Sequence, residues 1–288
     1  MAISETLLKK IEALPTLPIV VTRIMQLVEN PKTAAVEISK VVSLDPALTV
    51  KILKIVNSAY YGFPKQITTI THAIMILGFE DVKNIALGVS VFDIFKSKTA
   101  KGVVEEFDRI AFWQHSIGVG SCTKLLAKKL RYKNPEEAFI CGILHDIGKI
   151  ILDQYFHEEF MQIIGIAKNE NLLFVNAEKK VTDIEHPEIG RIVAKKWGLP
   201  QTIIDSIAFH HNPSLSEGHA LLVSLVHASD VFCRIQKIGN GGDNLVPQLQ
   251  KAAWDNLKLQ PTDLAKLYEE LHEEVKKADT FMEFTKAQ

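Results

Sequence analysis

One segment constrains this chain more than any other: Ala138-Phe-Ile-Cys-Gly-Ile-Leu-His145-Asp146-Ile-Gly-Lys149-Ile-Ile-Leu152. It is apolar and helix-like, yet a histidine, an aspartate and a lysine stand in its middle. A segment of this kind belongs in a core, where an unpaired carboxylate is neutralised or costs several kcal/mol. The fold must therefore bring something to Asp146. Imidazole and carboxylate side by side are common metal ligands, so a metal ion is the leading expectation, and other ligands must come from elsewhere in the chain.

The rest of the sequence narrows the class. Hydrophobic residues make up 47% and charged residues 23% of 288 positions, as in a globular protein large enough to bury a substantial core. A formal net charge of -1 gives no overall field toward nucleic acid or anionic lipid. Cys122, Cys141 and Cys233 are widely spaced in apolar stretches, which suits buried free thiols in a reducing compartment. The first ten residues lack the apolar core of a secretory signal, and no apolar stretch reaches membrane-spanning length. These features predict a soluble cytoplasmic protein.

Nearly every segment carries a helical period, and no long alternating strand pattern interrupts it. Helices are predicted over 19–28, 33–42, 46–56, 69–77, 80–95, 105–130, 135–153, 157–169, 186–197, 200–209 and 218–237. Asp45-Pro46 is a strong opening, a capping carboxylate followed by proline at the first helical position. Gly78 reads as a helix end. The polar stretch 96–102 reads as a boundary, and Gly239-Asn-Gly-Gly-Asp243 as a linker. Beyond it, one or two amphipathic helices are expected on the outside.

Other ionisable residues are set in or beside apolar helices. Asp230 lies inside Leu221–Ile235, where it could be a ligand, a cap, or a buried acid paired with Arg234 four residues on. His115 sits within Ile110–Val119; alone, such a histidine is more often a hydrogen-bonded core residue. His210 and His211 end an apolar turn, pointing about a hundred degrees apart. His186 begins a helix, where it could face a cleft or solvent. Core packing rarely produces five such histidines with two such aspartates. His72, His157, His219, His227 and His272 lack this context, although His227 shares a helix face with Asp230 and could touch a ligand. Lys124, Lys128, Lys129, Arg131 and Lys133 form a basic cluster that reads first as a solvated face.

The order His115, His145-Asp146, Asp230 resembles the HD superfamily of metal-dependent phosphohydrolases. His145-Asp-Ile-Gly-Lys149, His186-Pro-Glu-Ile-Gly190 and His210-His211 resemble the larger ligand set of its HD-GYP branch, which holds two metals. Over residues 10 to 240 the chain is similar to the HDOD (HD-related output domain) family. Leu44-Asp-Pro-Ala-Leu-Thr49, Val56-Asn-Ser-Ala-Tyr60, His72-Ala-Ile-Met-Ile-Leu-Gly78 and Trp197-Gly-Leu-Pro200 match its landmarks.

The resemblance implies an all-α fold, a helical HD-type domain packed against an N-terminal helical subdomain. Residues 1–100 would form the N-terminal half, 101–240 the HD-like core and 241–288 peripheral helices. It implies one or two divalent ions bound by His115, His145, Asp146, His186, His210, His211 and Asp230. In a two-metal arrangement, His115, His145, Asp146 and Asp230 would hold one ion, and Asp146, His186, His210 and His211 the other. Ligands of nitrogen and oxygen without thiolate favour iron or manganese over zinc, nickel or magnesium. Lys149 would contact a phosphate oxygen or serve as a helix-end cation.

One departure matters. The HD-GYP branch follows its histidine pair with Glu and Asp-Gly-x-Gly-Tyr-Pro, whereas Asn212-Pro-Ser-Leu-Ser-Glu-Gly218 stands here. Cyclic di-GMP hydrolysis is therefore not expected. The leading expectation is a regulatory module that binds metal and either a nucleotide-like, phosphate-bearing ligand or a signalling protein partner, without membrane or nucleic acid. The runner-up is a metal-dependent phosphohydrolase acting on a nucleotide.

Overall fold

The computed structural model of the chain describes residues 13–95 and 107–284. Among them every regular element is helical. The boundary expected at 96–102 lies outside the described residues.

The chain divides into two compact units. Of the described residues, 15–95 and 273–284 form one. Its helices are α1 (Ile19–Glu29), α2 (Ala35–Ser43), α3 (Pro46–Val56), α4 (Ile70–Leu77), α5 (Phe79–Ile94) and, from the far end of the chain, α16 (Asp279–Met282). Local chemistry sets their ends. Asp45 accepts a hydrogen bond from the Leu48 N–H at 2.9 Å, with Pro46 at the first turn of α3. Gly78 joins α4 to α5 with φ of 92°, a conformation that residues with a Cβ seldom adopt. α2 starts at Ala35, two residues later than the periodicity predicts. Thr33 donates its hydroxyl to Leu27 O at 2.6 Å, and Glu37 reaches back to the Ala34 N–H at 2.8 Å. Tyr60 meets the Phe281 ring edge-on at 5.2 Å, which anchors the C-terminal segment in this unit.

The other unit takes in the described residues 13–14 and 107–272. It contains α6 (Arg109–Lys129), α7 (Pro135–Leu144), α8 (Ile147–Tyr155), α9 (His157–Asn169), α10 (Phe174–Glu178), α11 (His186–Lys196), α12 (Gln201–Phe209), α13 (Ala220–Ile235), α14 (Lys251–Leu257) and most of α15 (Leu264–Lys277). α6, α7 and α13 pack together, and α8, α11 and α12 close the opposite side. Cys122, Cys141 and Cys233 are buried and free, as expected. No helix among the described residues is long and apolar enough to cross a membrane.

Three sequence expectations need correction. The helix predicted over 135–153 is broken: α7 ends at Leu144 and α8 begins at Ile147, leaving His145 and Asp146 in the break. The short α10 was not predicted. Residues 239–243 are not a linker but a packed wall of the site described next.

Candidate metal centre

The break between α7 and α8 gives His145 and Asp146 a freedom that a continuous helix would deny them. Asp146 sits at φ -100°, ψ 17° ahead of α8, and its carboxylate caps no backbone N–H there. Both oxygens face inward. Oδ1 lies 3.1 Å from His186 Nε2 and 3.5 Å from His210 Nε2. Oδ2 lies 3.2 Å from His145 Nε2 and 2.7 Å from Lys149 Nζ. One carboxylate thus stands between two histidine groups.

α11 brings His186 to the centre by an unusually close approach to α8. A Cβ added to Gly148 would fall 2.0 Å from the His186 carbonyl oxygen, so no other residue fits at that crossing without a backbone shift. α12 ends in His210 and His211, α6 supplies His115 from its second turn, and α13 supplies Asp230. Two sets of donor atoms result, each lying within 4.8 Å of one another: Asp146, His186, His210 and His211; and His115, His145 and Asp146. Asp230 falls outside both sets. Its Oδ1 is 3.0 Å from His115 Nε2 and accepts the Arg234 Nε–H at 2.8 Å, so the pairing with Arg234 considered from the sequence is present.

The hydrogen bonds around the histidines fix which nitrogen faces the centre. His145 Nδ1 donates to Gly142 O at 2.7 Å and His210 Nδ1 to Ile207 O at 2.8 Å. His186 Nδ1 lies 2.7 Å from Glu178 Oε2, and Glu178 Oε1 accepts the His186 backbone N–H at 2.8 Å. Each imidazole therefore turns Nε2 inward, as it must to bind a metal. His186 Nε2 lies 3.3 Å from His210 Nε2 and 3.2 Å from His211 Nε2. Two lone pairs at that distance repel unless a proton or a cation lies between them. His115 Nε2, His145 Nε2 and Asp146 Oδ1 are buried, and although carboxylate or imidazole atoms lie 3.0–3.2 Å from each, none is aligned for a well-formed hydrogen bond. Buried polar atoms are seldom left so, and here they converge on shared points. The residues fit a divalent cation.

Electrostatics agree. Burial pulls His210 down to about 4 and holds His211 well below the usual histidine range, so both are neutral donors near pH 7. Burial likewise lowers His115, against the opposing pull of Asp230. Burial would raise Asp146, but the neighbouring His145 and Lys149 outweigh it and hold the carboxyl well below the carboxylate range. Burial opposes a proton on His186, yet Glu178 more than compensates and the net shift is upward.

Lys149 does not point at open space. Its ammonium donates to Asp146 Oδ2 and, at 2.8 Å, to Gly241 O, and it lies 5.0 Å from the Phe174 ring centre. Gly241 belongs to the wall formed by residues 239–243. Asn240 N–H donates to Ala111 O at 2.9 Å, and Asp243 accepts from Arg234 at 3.0 Å and from the Phe174 N–H at 2.9 Å. Gly239 has φ of 63°, and a Cβ there would fall 2.2 Å from the His115 backbone nitrogen. The glycines allow this backbone to lie directly on the centre. His227, by contrast, acts from outside: its Nδ1 donates to His210 O at 2.7 Å. In the basic cluster, Lys124 and Lys129 are paired with Glu136 and Glu270.

Glu178 is the residue that the sequence reading missed. It is fully buried on the five-residue α10, too short for a periodic signal. Its trace is an acid in Phe174-Val-Asn-Ala-Glu178, eight residues before a histidine of interest.

An all-helical body gathers histidines and a shared aspartate from successive helices into a cluster that could hold a metal ion. The chain belongs to the HDOD domain family, whose model matches residues 14–213. Among solved structures it is similar to an HDOD domain protein of unknown function from Geobacter sulfurreducens, with 26% identity, a TM-score of 0.77, and coverage of 97% of this chain and 98% of that one. It is also similar to a candidate phosphohydrolase from Shewanella amazonensis SB2B, with 25% identity, a TM-score of 0.73 and 98% of each chain covered. An uncharacterized protein of Treponema pallidum (strain Nichols) is 28% identical over 227 residues, which cover 78% of this chain and 43% of that protein. The chain thus spans less than half the length of that relative.

Proposed function

We propose that this chain is a regulatory HDOD module whose buried His/Asp centre binds a divalent metal ion, with iron or manganese favoured by the nitrogen and oxygen donors. The observation that carries this reading is a complete donor set in a closed setting. His115, His145, His186 and His210 are 0% exposed and Asp146 is 1% exposed, beneath the wall of residues 239–243. Such a centre is built to retain an ion. A substrate would have to displace that wall first, which favours binding and signalling over turnover. A signalling protein partner or a nucleotide-like ligand would then read the state of the module.

A second reading is phosphohydrolysis of a nucleotide. Two observations favour it: the likeness to the candidate phosphohydrolase from Shewanella amazonensis, and the partial exposure of His211, the most open donor of the set. When bound, a metal would supply charge stabilisation at a phosphate. Lys149, tied to Asp146 and Gly241, would have to leave both to reach one.

Elemental analysis of protein purified without chelator tests the metal. Near-stoichiometric metal in the wild type and its loss in Asp146→Ala are expected. A metal-free wild type, as stable as the variant, would remove the proposal. A hydrolysis panel of nucleotides and phosphodiesters separates the readings: turnover abolished in Asp146→Ala would favour the enzyme, and none with metal bound would favour the module.

A further inference from the structure

α12 ends at Phe209, so His210 and His211 lie in the turn beyond it. Neighbours on a helix point about a hundred degrees apart. Here the two ring centres are 4.0 Å apart, and both Nε2 atoms come within 3.3 Å of His186 Nε2. Carbonyl groups at a helix end have no donor within the helix to satisfy them. Those of His210 and His211 receive no backbone N–H. What aims the pair must therefore come from outside α12.

Two side chains reach these carbonyls. His227, on α13 and 3% exposed, donates from Nδ1 to His210 O at 2.7 Å. The half-buried Gln250 donates from Nε2 to His211 O at 2.8 Å and to Asn212 Oδ1 at 3.3 Å. The two are also joined to each other. His227 Nδ1 faces a carbonyl and so carries the proton, which leaves Nε2 to accept the Gln250 backbone N–H at 3.1 Å. The carbonyls of adjacent candidate ligands are thus held by two residues that hold one another. Gln250 stands immediately before α14, at the far end of the irregular stretch that begins with the wall at Gly239.

Resting on the metal-binding reading above, we infer that His227 and Gln250 are positioning residues that act as one clamp, fixing the direction in which His210 and His211 present Nε2. Each acts on the pair through a backbone carbonyl, so releasing it lets the turn rotate while α12 itself stays folded. Because the two are bonded to each other, loss of one also loosens the other. The wall over the centre and the clamp that aims two of its ligands then belong to one stretch, residues 239–250.

Cobalt(II), whose visible absorption follows the geometry of its ligands, tests this on the metal-free full chain. Affinity is read by chelator competition, geometry by the spectrum, and stability by the urea midpoint of the metal-free protein. Gln250→Met keeps the length of the side chain and removes both bonds it donates. Affinity should fall roughly 10- to 100-fold and the spectrum should change, while the metal-free urea midpoint stays at the wild-type value. His227→Leu should weaken binding in the same way, and the double variant should lose less than the product of the two single losses. Wild-type affinity and spectrum in Gln250→Met would overturn the inference. So would a loss of affinity that only tracks a lower urea midpoint with an unchanged spectrum, or single losses that multiply in the double variant. Gln250→Met alone decides the matter where the His227 variants do not fold. A wild type that binds no cobalt would instead defeat the metal-binding reading itself, and this inference with it.

Discussion

Glu178 holds His186 at two points, the imidazole Nδ1 and the backbone N–H, and both acceptors belong to one buried carboxylate. A charged acceptor behind a histidine raises the basicity of the opposite nitrogen and fixes the ring. Glu178→Gln keeps the shape and removes the charge, so metal affinity should fall roughly 10- to 100-fold, as measured by competition with a chelator. Affinity equal to wild type would mean that Glu178 only braces α11. The same histidines set the acid response of the metal-free protein. His210 titrates at about 4 when folded, against 6.5 when unfolded, because burial disfavours its charge. Above pH 6.5 it contributes nothing. As pH falls from 6.5 toward 4 the unfolded chain takes up a proton that the folded chain refuses, and stability drops by about 3 kcal/mol at most. His115, His211 and His227 are lowered too and act in the same direction. His186 opposes them: its raised value stabilises the fold fully below 6.5 and loses that contribution as pH rises through the folded value. Asp146 and Asp230, held well below 3.8, lose their contribution only at still lower pH. The urea midpoint of chelated protein should therefore be lower at pH 5 than at pH 7. A higher midpoint at pH 5 would show that the His186–Glu178 pair dominates.

At the scale of elements, the site depends on how closely two helices approach. α8 and α11 touch backbone to backbone at Gly148, where a methyl group would meet the His186 carbonyl at 2.0 Å. No side chain can swing away, so Gly148→Ala must push the helices apart, at a cost of about 1–3 kcal/mol typical of overpacking. The displaced residue is the one that carries His186, so metal affinity should fall as well, measured alongside the urea midpoint. Normal affinity in a destabilised variant would show that the strain is absorbed away from the centre. Elements with local signals were legible in the sequence. Asp45-Pro46 opens α3, Gly78 ends α4, and His157–Asn169 forms the helix its periodicity predicts. The break at His145-Asp146 was not legible, because apolar periodicity runs straight through it. What stops the helix is the demand that both Asp146 oxygens face inward, a tertiary effect. Residues 239–243 misled for a related reason. Glycine marks both a free linker and a backbone pressed against its neighbours, and only the contacts of Gly239 with α6 separate the two. Glu178 escaped notice because one turn of helix has no period to read.

Across the whole molecule, among the described residues, every donor of the two sets comes from α6, the α7–α8 break, α11 or the end of α12, and thus from one of the two compact units. The unit containing α1–α5 supplies none among the described residues. An ion that binds only the folded centre stabilises that unit by linkage, about 2.7 kcal/mol when its free concentration is a hundred times the dissociation constant. Few contacts beyond the ligands are needed to spread this effect locally. The His145 and His210 rings meet edge-on at 5.0 Å, and Lys149 and Arg234 tie residues 241–245 to the same core. Hydrogen exchange should therefore slow on metal loading in α6, α7, α8, α11, α12, α13 and the wall at 239–245. α1–α5 should exchange at the same rate in both states. Equal slowing throughout would sink the assignment of the ion to one unit's stability and show that both unfold as one. Slowing confined to the wall would show instead that the helices are rigid without metal and that the ion orders only the backbone above it. That last pattern would still suit a signalling module, since residues 239–245 would then be the element whose order reports the bound ion.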